Sequence, residues 1–148
     1  SNNLASKIPE KAQELDRMLQ ERLDEMDADY PYKNPYYSRK MAGSNQVPIA
    51  VKATQEGRKV TLTYQDKGNK VDKAYLMYTF NGDQRSEEWH RVDAKIENGQ
   101  VSAKLPKGAT HYIFNLVDDK NFLVSYPRMG QVGDFKRGNY SSKAIPVK

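Results

Sequence analysis

Few side chains in this sequence are suited to chemistry, and their spacing narrows the choice further. The two histidines, His90 and His111, stand singly on segments of strand character, with no second His or carboxylate at ligand spacing. They read as surface or strand-paired residues, not as catalytic or metal groups. Glu87 and Glu88 are neighbours in what reads as a strand; successive strand side chains point to opposite faces, so the two carboxylates cannot flank one glycosidic bond. Asp118 and Asp119 beside Asn121 offer oxygen ligands for calcium, yet Asp-Asp-Lys-Asn is first of all a hairpin turn. The absence of cysteine excludes disulfides, thiolate metal sites and a Cys nucleophile. No catalytic residue, metal or cofactor is expected in this chain.

What remains is binding. Trp89 is the only tryptophan. Exposed, with Tyr75 or Tyr78 nearby, it would stack on a sugar ring; buried, it would be the large core filler of a small β-domain. The cations that would hold an anionic glycan beside it are Lys52, Arg58, Lys59, Arg85 and Arg91. They belong to an uneven charge distribution: residues 1–36 hold five Lys/Arg against eight Asp/Glu, a net of −3, and residues 37–148 hold nineteen against eleven, a net of +8. The cations of the second part are scattered singly through turns and tail without a helix-turn-helix, zinc or RNP pattern, so nucleic acid is not an expected partner.

The elements that must position these residues differ along the chain. From Pro9 to about Asp27, the residues Ala12, Leu15, Met18, Leu19, Leu23 and Met26 recur at spacings of three and four, which predicts an amphipathic helix. Pro9 suits its first turn and Glu10 complements the positive helix end. Pro31 and Pro35 stop the helix, and the segment 30–37, with four tyrosines, reads as an extended aromatic strap: a docking strap or sugar platform, or more plainly a linker whose rings cover a neighbouring element. Residues 38–47 have little periodicity and several small or polar residues, and the domain boundary is expected there, with 37–47 as the linker.

Beyond it the period changes from 3.6 to 2. Seven strands are predicted: Pro48–Ala53, Lys59–Gln65, Val71–Phe80, Arg85–Ala94, Gln100–Leu105, Thr110–Val117 and Asn121–Tyr126. Val60, Leu62 and Tyr64 alternate on one face, as do Tyr112, Phe114 and Leu116. Turn strings such as Glu97-Asn-Gly99 and Asn81-Gly-Asp83 separate the runs. The fold class is therefore mainly β: an immunoglobulin or fibronectin III-like β-sandwich of about seven strands, preceded by one amphipathic α-helix. The 148 residues have room for one such domain and an appendage, and no run approaches the length and apolarity of a membrane span or a secretory signal.

Two resemblances follow from particular residues. Asn3-Leu4-Ala5, Pro9-Glu10-Lys11-Ala12-Gln13-Glu14-Leu15, Pro31 and Asn34-Pro35 resemble, in order and spacing, the C-terminal stretch of bacterial arylsulfatase-like sulfatases, where such a segment leads into a final helix. Trp89, Val101-Ser-Ala-Lys-Leu-Pro106, Gly108-Ala109, Tyr112, Asn115, Asp118 and Val124-Ser125 look like the accessory β-sandwich at the C-terminus of some secreted bacterial hydrolases. Sulfatases cleave sulfate esters with a formylglycine made in a C/S-x-P/A-S/A-R motif beside a calcium ion, in their N-terminal domain. Neither carries over: Ser125-Tyr-Pro-Arg128 lacks the residue between Pro and Arg and ends a predicted strand. The chain starts where a sulfatase would already be far along, which implies a fragment or split reading frame.

The resemblance thus implies residues 1–36 as the helical tail of a sulfatase-like catalytic domain, 37–47 as a linker and 48–148 as an accessory module. The chain alone would be non-catalytic, with a structural or targeting role in a periplasmic or extracellular sulfuric ester hydrolase. Its partners would be the parent's catalytic domain or a second copy meeting the helix stripe. The alternative is a carbohydrate-binding module for anionic or sulfated polysaccharide.

Overall fold

The stripe of period 3.6 becomes helix α1, Pro9–Glu25, with Pro9 in its first turn, Glu10 near the positive end and Arg22 near the negative one. It closes at Met26, whose N–H donates to the Arg22 carbonyl over 3.3 Å. The computed structural model describes residues 4–26, 28, 31–37, 40–129 and 139–148. They divide into two units, residues 1–31 and residues 32–148. Ion pairs line the outside of α1, Lys11 with Glu14 at 2.8 Å and Arg22 with Glu25 at 2.7 Å, each worth little in solvent. None of its residues is buried, and Leu15, Met18, Leu19 and Met26 are each more than half exposed. The first unit has the pattern of a core-facing helix without a core.

The second unit is the predicted β-sandwich. Among the described residues it holds nine strands: β1 (Ile49–Glu56), β2 (Lys59–Gln65), β3 (Val71–Thr79), β4 (Trp89–Asp93), β5 (Lys95–Glu97), β6 (Gln100–Lys104), β7 (His111–Asp118), β8 (Leu123–Tyr126) and β9 (Ile145–Pro146). One antiparallel sheet runs β1-β2-β6-β5 and the other β4-β3-β7-β8, with β9 added to β7. The alternating sets meet between them: Val60, Leu62, Tyr64 and Val101 from the first sheet, and Ala74, Leu76, Tyr112, Phe114, Leu116 and Val124 from the second. Burying each large apolar side chain contributes roughly 1.5–3 kcal/mol, so this cluster dominates the stability of the unit. Turn chemistry sets the register. At the β5–β6 hairpin Asn98 and Gly99 both take positive φ, 49° and 73°, as a two-residue turn of inverted hand requires.

Asp118 builds the turn that its sequence context predicts. It is buried; one carboxylate oxygen accepts the N–H of Lys120 and of Phe122, both at 2.9 Å, and the other accepts the Asn69 amide at 2.8 Å. These donors organise the β7–β8 turn, with Asn121 at φ 64°.

Two differences from the sequence reading have local causes. The strand expected over 85–94 begins only at Trp89, because the Asn81 side chain captures the backbone ahead of it. Its oxygen accepts the Glu88 N–H at 2.9 Å and its amide donates to the Ser86 carbonyl at 2.8 Å. Glu87 and Glu88 are therefore loop residues and do not alternate on a strand. Likewise, the segment expected to link two domains is tied to the sandwich. The Gln46 carbonyl accepts the Asn69 N–H at 2.9 Å, the Gly43 carbonyl accepts the Asn69 amide at 3.1 Å, and Val47 and Pro48 are buried. Further upstream, Lys33 pairs with Phe122 as a parallel bridge along β8, and Asn34 turns the strap by accepting the Tyr36 N–H at 2.9 Å. Tyr30 of the strap lies outside the described residues.

Candidate functional site

The strands that build the core also decide what each outer face shows. On the first sheet, pairing sets Thr54, Thr61, Ser102 and Lys95 in one row across four strands, with Lys52 opposite Thr63 and Lys59 opposite Lys104 in the rows beside it. This face is short-chained, hydroxylated and cationic. A shallow depression of about 470 Å³ lies at its end, lined by Arg58, Lys59, Ser102, Ala103 and Lys104, without an aromatic wall.

The outer face of the second sheet is built differently. Leu76, Val92, Phe114 and Val124 point into the core, so their strand neighbours Met77, Trp89, Ile113, Asn115 and Ser125 face outward. They line a cleft of about 260 Å³ closed by Met129 and by Tyr140 from the 3-10 turn Tyr140–Ser142. Trp89 is half-buried, and its ring meets Tyr140 edge to face, with centroids 6.5 Å apart and planes at 84°. Beside them Arg91 lies over the Tyr75 ring, its guanidinium carbon 4.8 Å from the centroid. On the floor the Ser125 hydroxyl donates to the Asn115 carbonyl oxygen over 2.8 Å, which leaves the Asn115 amide donor unpaired among the described residues.

Glu87 holds the walls together. Its carboxylate accepts the Trp89 ring N–H at 3.1 Å, the backbone N–H of Tyr140 at 2.8 Å, that of Ser141 at 3.2 Å, that of Asp83 at 3.1 Å, and the Ser141 hydroxyl. Burial alone would push this carboxyl up, but the hydrogen bonds from Ser141, Trp89 and Asp83 outweigh it and hold the group below the usual carboxylate range. One anion thus fixes the rotamer of Trp89 and anchors the turn that carries Tyr140.

The six residues singled out in the sequence do not come together. Lys52, Arg58 and Lys59 belong to the first sheet and its β1–β2 hairpin; Trp89 and Arg91 are on β4 of the second, and Arg85 is in the exposed β3–β4 loop. Of the two expected neighbours of Trp89, Tyr75 shares its face, whereas Tyr78 points to the other side and stacks on His90 at 5.4 Å. His111 contacts the Thr110 hydroxyl at 3.2 Å and lies 3.7 Å from Asp83. No cluster of three His, Asp or Glu capable of holding a metal occurs among the described residues. The cleft residues missed in the sequence are Glu87, Asn115, Met129 and Tyr140. Asn115 alone carried a usable signal, as the polar position between Phe114 and Leu116 on β7.

The chain was compared with protein-family models, with curated proteins and with solved structures. It matches none of them. No helix among the described residues is long and apolar enough to cross a membrane.

Proposed function

We propose that this chain is the non-catalytic C-terminal part of a sulfatase-like hydrolase, in which α1 completes the catalytic domain and the sandwich serves as a structural or targeting module. The observation that carries the reading is the contrast in burial: α1 is amphipathic over its whole length and buries none of its residues, while the sandwich buries a full core of its own. An isolated helix of this length is marginal in water, since most helical stability comes from tertiary packing of the apolar face. The Asn3-to-Pro35 pattern names the kind of domain that would cover it. The parent enzyme's calcium and formylglycine belong to that domain, and its periplasmic or extracellular location is part of the same proposal.

Hydrogen exchange tests it. In the isolated chain the amides of Leu15–Glu25 are expected to exchange far faster than those of β2 and β7. In a protein extended by the sequence encoded upstream, they are expected to become protected. Equal exchange of the helix in both proteins overturns the proposal, as does turnover of an aryl sulfate by the isolated chain supplied with calcium.

A second reading, a module for anionic polysaccharide, is favoured by the cleft of the second sheet. Trp89 and Tyr140 supply rings, Asn115 supplies an unspent amide and Arg91 supplies a cation, all on one face. Modest affinity suffices for such a role, because a tethered module raises the local concentration of substrate.

A further inference from the structure

The Trp89 cleft is one of three depressions that share their lining. Ser125 and Met129 also line a cavity of about 240 Å³ with Lys33, Tyr36 and Arg128. Ser125, Tyr36 and Arg128 line a third, of about 420 Å³, that reaches Lys67 and the start of β1. We infer that these depressions form one groove across the flank of β8, and that it takes a linear anionic polysaccharide, with Arg128 and Lys33 gripping acidic groups at one end and Trp89 with Tyr140 packing on a sugar ring at the other. The inference rests on the polysaccharide-binding reading and gives it a place on the molecule and a polarity.

Three observations favour this occupant. First, the cations at the β8 end have no acidic partner among the described residues. The Arg128 guanidinium lies 3.9 Å over the Tyr36 ring, which orients its plane, and among the described residues it has no acidic partner. Lys33 lies over the Phe122 ring and donates to the Lys120 carbonyl, again without an acidic partner. A guanidinium held flat against a ring keeps its donor edge for a carboxylate or sulfate, which it meets with two parallel hydrogen bonds. Second, the Trp89 ring is held in place: Glu87 accepts its ring N–H and also anchors the backbone of the turn that carries Tyr140, so Trp89 has little side-chain freedom to lose when a sugar ring packs there. Third, the groove has length. From β8 to β4 there are three inter-strand steps, roughly 14 Å at the usual spacing of strands, which is longer than one sugar ring and suits a chain.

The cationic face of the first sheet is the natural control, because it carries Lys52, Lys59, Lys95 and Lys104 but its depression has no aromatic wall. Affinity electrophoresis and calorimetry of the whole chain against chondroitin sulfate, neutral xylan and an oligothymidylate decide the matter. Chondroitin sulfate is expected to bind most tightly and to be released by salt. Arg128→Ala and Trp89→Ala are each expected to weaken it roughly tenfold, and Arg128→Lys to fall between, because it keeps the charge and loses the planar fork. Trp89→Phe, which retains a ring, guards against a folding defect and is expected to bind better than Trp89→Ala. Lys59→Ala is expected to change affinity by less than about twofold.

If the unaltered chain binds no polysaccharide, the polysaccharide reading itself falls. If it binds chondroitin sulfate, but Lys59→Ala weakens binding as much as Arg128→Ala, only the groove is overturned. Tighter binding to oligothymidylate than to chondroitin sulfate overturns the choice of occupant.

Discussion

The two sheets of the sandwich share a core but not a purpose on their outer faces. The first presents a Thr54–Thr61–Ser102–Lys95 row, where every side chain is short or flexible and none is buried. On the second, Ile113 and Val117 point outward yet are almost wholly buried, and Ile113 shares its cleft with Met129 and with Tyr140 of the 3-10 turn. The covered face holds a cleft walled by Trp89 and Tyr140, whereas the open one has only a shallow depression without an aromatic wall. Charge alone is a poor guide to a site here, since the open face carries Lys52, Lys59, Lys95 and Lys104. Concavity follows from where the chain returns after its strands are complete.

That contrast can be broken by substitution. Ile113→Ala on the covered face is expected to destabilise the sandwich by about 2–4 kcal/mol, measured by urea unfolding, because it opens a cavity in a place that behaves as core. A loss no larger than that of an exposed residue would mean that this face is open after all. Gly82→Ala is expected to cost about 1–3 kcal/mol: an added Cβ would fall 2.1 Å from Nδ1 of His111, and the backbone or that ring must move. Thermal melts of G82A beside Gly57→Ala separate a steric clash from backbone strain. Gly57 has open space around it but sits at φ 55°, so its cost comes from backbone strain without a clash.

Glu87→Gln is expected to cost about 1 kcal/mol at neutral pH, through weaker bonds to the Trp89 ring and the Tyr140 turn. Its effect depends on pH in a defined direction. The carboxyl titrates lower in the folded chain than in the unfolded one, so its stabilisation is complete above the ordinary carboxylate range and is lost as pH falls through the folded value. E87Q should flatten that acid limb, and the single Trp89 reports it by fluorescence; an unchanged limb would remove Glu87 from its role as anchor. The smallest effect belongs to the open face: Thr61→Val should stay within about 0.5 kcal/mol of the parent in the same unfolding experiment.

The fold was legible because its signals are local. Val60-Thr-Leu-Thr-Tyr64 and Tyr112-Ile-Phe-Asn-Leu116 alternate along single strands, and Asn98-Gly99 specifies a turn by its own φ preferences. The cleft was not legible, because it is assembled from places distant in the chain. Tyr140 and Met129 lie in segments with no period to read, and Glu87 faces its five donors because Asn81 bends residues 85–88 into a loop where their composition predicts a strand. Trp89 stood out by composition alone. Its cationic companions were chosen by charge, and charge does not tell which of two faces a residue shares.

The open sheet ends on β1 at one border and β5 at the other. Its two border strands are each unsuited to growth: β1 is interrupted by a register shift between Ala50 and Lys52, and β5 is only three residues long, with Lys95 and Glu97 on its outward side. A neighbouring copy seeking to extend the ladder would meet a kink on one border and, on the other, a strand too short to template it. Neither border of this sheet therefore offers a second copy a long, regular ladder to extend.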